Sequence, residues 1–524
     1  MQEWLKVSLL LCTFGLVREI RPSEPYVSEF LLGPWRNITE ETLNKDVYPV
    51  GTYSYLSQLV IVFLVTDYLK YKPLIVLSGK YYFLEYQACV AMPHKERNCF
   101  SLRVLYHFPA AVLLLRSLFL SLSPFHLHIF HPPRPSSHEP PTSRFPPAFL
   151  FHLPCHVKWY YNLCFCGIIV YSILLWTESL AWLQVSQFFY GLYMATEVAY
   201  YTYMYAKVEA DRYDQVSSWS RAAALVGRFL SGVIAQLLVS FSVMDLRQLN
   251  YITFSSQILS IIWAVLLPGV QRSVYFHREV AVPLTSGRST SSASTQINGV
   301  QLLWEHARSA YSKPVVLGWS LWYAASMAGF IQVQSYMQLL WQDIQPHQEV
   351  GTYHDNLYNG SVEAILTVLG ALAALLAGRS SKLSKTALPA LPALAALGQA
   401  GGVVASTLAT ELWVSYLGYI VLGVIYHYMI TLTSAEIARN LVYDSCFGLV
   451  FGINTLVAII LQSILTLVVI SESGMELGIR DQYRAYAVCY VILGVIVFLV
   501  WLGMFIRRCI QRRKDNKEID VVES

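Results

Sequence analysis

The stretch WLQVSQFFYGLYMATEVAYYTYMYAKV, residues 182–208, reads as a single membrane-spanning helix with a carboxylate, Glu197, in the middle of an aromatic and small-residue run. A charge at the bilayer centre costs roughly 2.5 to 3.5 kcal/mol on insertion scales, so it faces a cavity and has a partner or a task. Tyr190, Tyr193, Tyr200, Tyr201, Tyr203 and Tyr205 surround it. An acid among aromatic faces suits a flat organic cation better than a bare ion. The plainer alternative is a structural glutamate bonded to a neighbouring helix.

The rest of the chain has the same character. Of 524 residues 55% are hydrophobic, 14% aromatic and only 13% charged, and the mean hydropathy is +0.44. Such a composition excludes an ordinary water-soluble domain and indicates an all-α polytopic membrane protein. Apolar stretches of about 18 to 25 residues recur from end to end, each long enough to cross roughly 30 Å of hydrocarbon as a helix. The net charge of +4 is too small and too scattered for nucleic-acid binding. The nine cysteines show no zinc spacing and no secreted disulfide framework, and they read as mostly free thiols.

Residues 1–17 resemble a signal peptide, but the apolar run continues into REIRPSEPYVSEFLL without a small-residue cleavage site and reads as an uncleaved first span. Further spans are expected at 48–68, 182–208, 222–241, 249–267, 315–340, 358–377, 387–408, 412–432, 448–470 and 486–506, about twelve in all with a third before residue 182. Basic residues gather on alternate connections, which places both termini in the cytosol by the positive-inside rule. The sequon at Asn37 then lies outside, as glycosylation requires, whereas the second at Asn359 sits in an apolar span and reads as a chance match.

A serine-rich cytosolic link at 271–312 divides the chain into an N-terminal six-helix half, 1–270, and a C-terminal one, 313–506, followed by a basic tail, 507–524. Two halves rocking about a midplane site are how alternating-access carriers of the major facilitator type are built. Residues 80–163, with HLHIFHPPRPSSHEPPTSRFPP, interrupt the third span. An inserted loop, a histidine-rich metal segment and translated non-coding sequence are the three accounts of it, and the histidines lack any ordered ligand spacing.

At RPSEP (21–25), YPVGTYSYL (48–56), TDYLKYKP (66–73), QFFYG and ATEVAYYTYMY (187–205), YNGSVEA (358–364) and LVFGINT (449–455) the sequence resembles the folate and thiamine carrier family, a branch of the major facilitator superfamily. The resemblance implies uptake of a small vitamin without a cofactor, by a monomer in the plasma membrane among lipids. Folates are dianions and thiamine is a cation, so charge separates the substrates. The reduced folate carrier has cationic residues matching Glu197, Gly423 and Gln462, and this chain has none of them. A low-dielectric cavity without those cations and with an added acid favours a positive substrate.

The resemblance therefore implies thiamine as substrate, with Glu197 and Glu363 neutralising the positive ring. Tyr48 and Tyr190 stack on the heterocycles or act as packing aromatics, and Glu24 serves the pocket or the outer gate, or holds an N-terminal bend. Thiamine carriers have Trp where this chain has Gly51 and Tyr171, Glu at Gln187, Tyr at Arg228 and Asn at Ser335. Arg228 either points inward, to pair with Glu197 or to receive a phosphate or carboxylate, or else snorkels to the cytosolic face. Pyridoxine, a thiamine phosphate and a reduced folate are the alternative cargoes, and a channel or other non-transporting membrane protein is the alternative class. No HExxH, GxSxG or Walker A motif indicates an enzyme.

Overall fold

A computed structural model describes residues 3–36, 38–68, 158–195, 197, 213–266, 299–344, 357–380, 390–441 and 447–523. The sequon asparagine Asn37 and most of the 80–163 segment lie outside the described residues. Among those described are twelve long helices on the expected spans: α1 (Glu3–Arg18), α2 (Tyr48–Tyr68), α3 (Lys158–Trp176), α4 (Leu180–Ala195), α5 (Tyr213–Ser240), α6 (Leu246–Leu266), α7 (Pro314–Ile344), α8 (Asn359–Ser380), α9 (Leu391–Leu408), α10 (Leu412–Asn440), α11 (Phe447–Val469) and α12 (Ile479–Glu523). Seven of these meet the length and apolarity needed to cross a bilayer on those criteria alone. A further amphipathic helix, Gly299–Tyr311, leads into α7 and is fastened to α11 by the Tyr311 hydroxyl, 2.8 Å from Asn454 Oδ1.

The first span is not one helix. After Arg18 the chain leaves the α-helix and resumes as a short 3₁₀ turn, Glu24–Tyr26, running into Val27–Leu32. RPSEP explains the break, because Pro22 lacks an N–H and disfavours the helical conformation of the residue before it, while Pro25 suits the first turn of a new helix. Exposed backbone polar groups are costly inside a membrane, so they must be bonded by neighbours. Side chains of α5 and α6 do this. Ser231 accepts from the Arg21 amide at 2.9 Å, Thr253 from the Ser23 amide at 3.2 Å, and Ser256 and Gln257 donate to the Val17 and Arg18 carbonyls at 2.6 and 3.3 Å. Just before the break α5 comes close enough that a Cβ on Gly227 would collide with the Leu16 carbonyl.

Helix pairing repeats with a shift of six. In the first half α1 packs on α5 and α6, α2 on α4, and α3 on α4 and α6; in the second α7 packs on α11 and α12, α8 on α10, and α9 on α10 and α12, with a further contact of α7 on α10 that the described residues of the first half do not repeat. The halves meet through α5 against α8 and α2 against α11, two pairs that exchange under the same shift. This is the two-half, major facilitator architecture.

Hydrogen bonds joining the halves gather at the end where α5 finishes and α8 begins. Gln338 of α7 donates to the Glu24 carbonyl at 2.8 Å and accepts from the Ser28 amide at 3.0 Å, clamping the restarted part of the first span. Asn359 donates to the Pro25 carbonyl at 3.0 Å and accepts from Tyr416 at 2.7 Å, so its amide is buried and bonded within the protein rather than offered to solvent. Gln236 of α5 bonds the Leu357 carbonyl and the Ser361 amide. A buried cluster that includes Phe30, Leu43, Tyr171, Tyr336, Trp341 and Tyr483 continues through the same end and ties both halves together. Polar side chains and apolar packing thus close one mouth of the space between the halves.

Candidate functional site

The α1 break places three charged residues within four positions, Arg18, Glu19 and Arg21, in the protein interior, each no more than 8% exposed. Buried charges persist only when paired. Arg21 donates to Glu19 at 2.8 Å and to Glu24 at 2.5 Å. Arg18 donates to the Tyr193 hydroxyl at 3.1 Å and lies 4.7 Å from the centre of that ring, a cation–π contact. Tyr190 stacks beside Tyr193 at 6.3 Å, and Tyr171 of α3 lies close enough to the Glu24 carboxylate to interact with it. Glu24 therefore stands where α1, α3 and α4 converge, with a third of its side chain exposed.

Arg228 resolves the two readings of its sequence position in favour of the interior. Its Nε donates to Glu19 Oε2 at 2.8 Å, and the same oxygen accepts from Arg21. The partner is thus Glu19 rather than Glu197. Its side chain is 43% exposed, yet it lies within electrostatic reach of Glu197 on the α4 span and of Glu363 and His427 on α8 and α10. Glu197 is partly buried and also within reach of Arg18, so it faces this interior too.

The second half contributes mainly aromatic and neutral groups. Glu363 accepts from the Tyr419 hydroxyl at 3.0 Å. Below it Phe330 and Tyr426 stack face to face at 3.9 Å with His427 at their edge. Tyr48 stands at the head of α2 nearer the closed mouth, its hydroxyl 2.6 Å from Ser28 and its ring edge-on to Tyr336. Ser335 is exposed on α7 and donates to the carbonyl of Ile331 in its own helix. The structure thus brings Glu24, Tyr190, Glu197, Arg228 and Glu363 into one electrostatically connected cluster and leaves Tyr48 and Ser335 nearer its edges.

Local packing surrounds Gly51 and Gln187, which differ from the pattern expected of thiamine carriers, and Gly423 and Gln462, which differ from that of the reduced folate carrier. A Cβ on Gly51 would stand 2.7 Å from Gln187 Oε1, so these two residues face each other where α2 meets α4 and a bulky ring at 51 would displace the amide. A side chain on Gly423 would run into Leu366 across the α8–α10 contact, and Gln462 is buried and neutral.

A family model described as reduced folate carrier matches residues 2–105 and 160–485, leaving 106–159 unmatched. The chain belongs to the reduced folate carrier family. Human thiamine transporter 1 is 29% identical over 97% of this chain and 91% of its own length. Folate-like transporter 3 of Caenorhabditis elegans is 31% identical over 98% of this chain and all of its own. The E. coli xylose transporter XylE, solved in a partially occluded inward-open conformation, shares the fold at a TM-score of 0.53 with 11% identity, over 95% of this chain and 98% of that one. This reduced folate carrier family member is accordingly a multi-pass membrane transporter and not an enzyme.

The residues missed by sequence reading are Arg18, Glu19 and Arg21. The signal was present: three charges within four positions, REIR, cannot sit in a first span of uniform helix without breaking it or pairing inside it.

Proposed function

We propose that this protein carries thiamine, or a closely similar flat organic cation, across the plasma membrane by alternating access. The observation that carries the reading is the charge balance of the connected cluster. Among the described residues, four carboxylates, Glu19, Glu24, Glu197 and Glu363, face three guanidiniums, Arg18, Arg21 and Arg228, for a formal charge of −1. A monocation completes such a site, whereas a folate dianion meets net repulsion in a low-dielectric space. In this reading Glu197 and Glu363 neutralise the positive ring while Tyr190, with Tyr48 nearer the closed mouth, supplies aromatic surface.

Halves at 1–270 and 313–506, joined by a cytosolic link at 271–312, move about the site as a monomer with both termini in the cytosol. The closed mouth then faces outward.

Labelled thiamine uptake into cells expressing the chain tests the proposal. Glu197→Gln is expected to reduce uptake at least about tenfold, equivalent to ~1.4 kcal/mol, at unchanged surface abundance. Uptake that is blocked by excess folate but not by unlabelled thiamine would reverse the charge argument. The partly exposed guanidinium of Arg228 favours one second reading, a vitamin that carries a phosphate or carboxylate beside its ring. Competition by thiamine monophosphate distinguishes it.

A further inference from the structure

A guanidinium facing a cation site is a contradiction unless something cancels it. Arg228 is bonded to Glu19 through Nε, and this is its ion pair among the described residues. Glu19 is 5% exposed and holds both Arg228 and Arg21 on one carboxylate oxygen. Among the described residues Arg21 keeps a second carboxylate, Glu24, and Arg228 has only Glu19 as an ion-pair partner. Without the Glu19 charge, the unlike charges within electrostatic reach of Arg228 among the described residues include Glu197 and Glu363. Those are the two acids that the substrate reading needs for itself.

We infer that Glu19 is a specificity-determining residue: by neutralising Arg228 from behind, it keeps Glu197 and Glu363 available and sets the site for cations over anions. The inference rests on the cation-carrier reading. Glu19 touches no substrate in this scheme. It acts through Arg228, and its position just after the end of α1 is what lets a residue of the first span reach the face of α5.

Three variants, Glu19→Gln, Arg228→Gln and the double change, test it by uptake of labelled thiamine and by inhibition with a reduced folate, normalised to surface abundance. Glu19→Gln brings the cluster to neutrality and is expected to raise the apparent KM for thiamine about tenfold or more and to make uptake sensitive to folate. Arg228→Gln makes the cluster more negative and is expected to lower the apparent KM for thiamine, with no gain of folate sensitivity. The double change restores the original balance and is expected to return the KM to within about threefold of the parent, since charge effects at this range follow the sum of the charges.

Glu19→Gln at the surface with unchanged KM and no folate sensitivity overturns the inference. A double variant that is well expressed but no better than Glu19→Gln also overturns it, because a merely structural glutamate would not be rescued by removing Arg228. Should Glu19→Gln not reach the surface, the decision passes to the double variant, whose parent-like KM supports the inference and whose loss of thiamine uptake sinks it. Absence of thiamine uptake by the parent chain would instead refute the cargo proposal, an outcome separable from all of these.

Discussion

α1 and α7 hold equivalent places in the two halves, the one packed on α5 and α6, the other on α11 and α12. α7 runs unbroken for 31 residues, and its buried polar residue Gln332 spends its amide on Tyr486 of α12 at 2.9 Å and Thr466 of α11 at 3.0 Å. α1 stops at Arg18, and the corresponding neighbours α5 and α6 spend their hydroxyls and amide on its freed backbone. The same neighbours thus satisfy a side chain in one half and a helix break in the other. The break admits the charges: three guanidiniums and two carboxylates stand at or against it, while the facing half offers Glu363 among tyrosines. A symmetric scaffold has concentrated buried charge on one side and left the other to aromatic side chains and to the amides that close the mouth.

The comparison is broken most severely at Arg21. Arg21→Ala leaves Glu19 and Glu24 without their shared guanidinium in a buried setting, a loss of about 3–5 kcal/mol, and the protein is expected to fail to accumulate at the cell surface. Gln332→Leu at the equivalent span removes two neutral hydrogen bonds, about 1–3 kcal/mol, and is expected to leave a folded, membrane-inserted protein. Thermal unfolding in detergent and surface labelling check both. Equal tolerance of the two changes would show that the charges at the break are not what holds it.

How much of this was legible beforehand follows from what hydropathy can see. Apolar length fixes where a chain crosses a bilayer, so the spans at 48–68 and 448–470 match α2 and α11 nearly to the residue. It does not see where helical hydrogen bonding stops, and α10 continues to Asn440, eight residues past the expected 432, because nothing in LTSAEIARN breaks a helix. RPSEP was legible as a family motif, but not as a break that turns Arg18, Glu19 and Arg21 inward, since that depends on Ser231, Thr253 and Ser256 arriving from two hundred residues away. For the same reason Arg228 had two open readings from sequence. Its partner lies 209 residues distant, on a segment whose own conformation had to be known first.

A second, milder contrast sets a contact between the halves against one within a half. At the α5–α8 crossing, a Cβ on Gly360 would stand 2.7 Å from the Gly232 carbonyl; at the α9–α10 crossing, one on Gly418 would stand 2.6 Å from the Gly402 carbonyl. Backbones this close leave no room for a larger residue without a shift of one helix, at a cost of about 1–3 kcal/mol. Alternating access requires the first crossing to open and the second to stay. Gly360→Val is therefore expected to spare folding and to favour the state with this mouth open, read as increased labelling of a cysteine introduced at Tyr48. Gly418→Val is expected to lower thermal stability with no gain in that labelling. The reverse pattern would place the moving interface elsewhere.

The smallest effect belongs to the rim. Lys45, just before α2, donates to Glu41 at 2.8 Å and to Glu476 of the other half at 2.6 Å. It is the ionic counterpart, at the surface, of the buried Arg21 bridge, with the difference that water competes for both partners. Its hydrogen bond and charge hold the Glu41 carboxyl below its ordinary range. A depressed carboxylate contributes fully above its unfolded pKa and loses that contribution as pH falls through the folded value. The rim contact should therefore be constant near neutrality, fade on acidification below the usual glutamate range, and weaken with salt. Lys45→Ala is expected to change uptake at neutral pH by no more than about twofold, as exposed ion pairs generally do, and to abolish whatever salt dependence the closed mouth shows in the cysteine-labelling assay. A loss as large as that of Arg21→Ala would mean that closure is governed at the rim, and that the buried bridge serves the cargo alone.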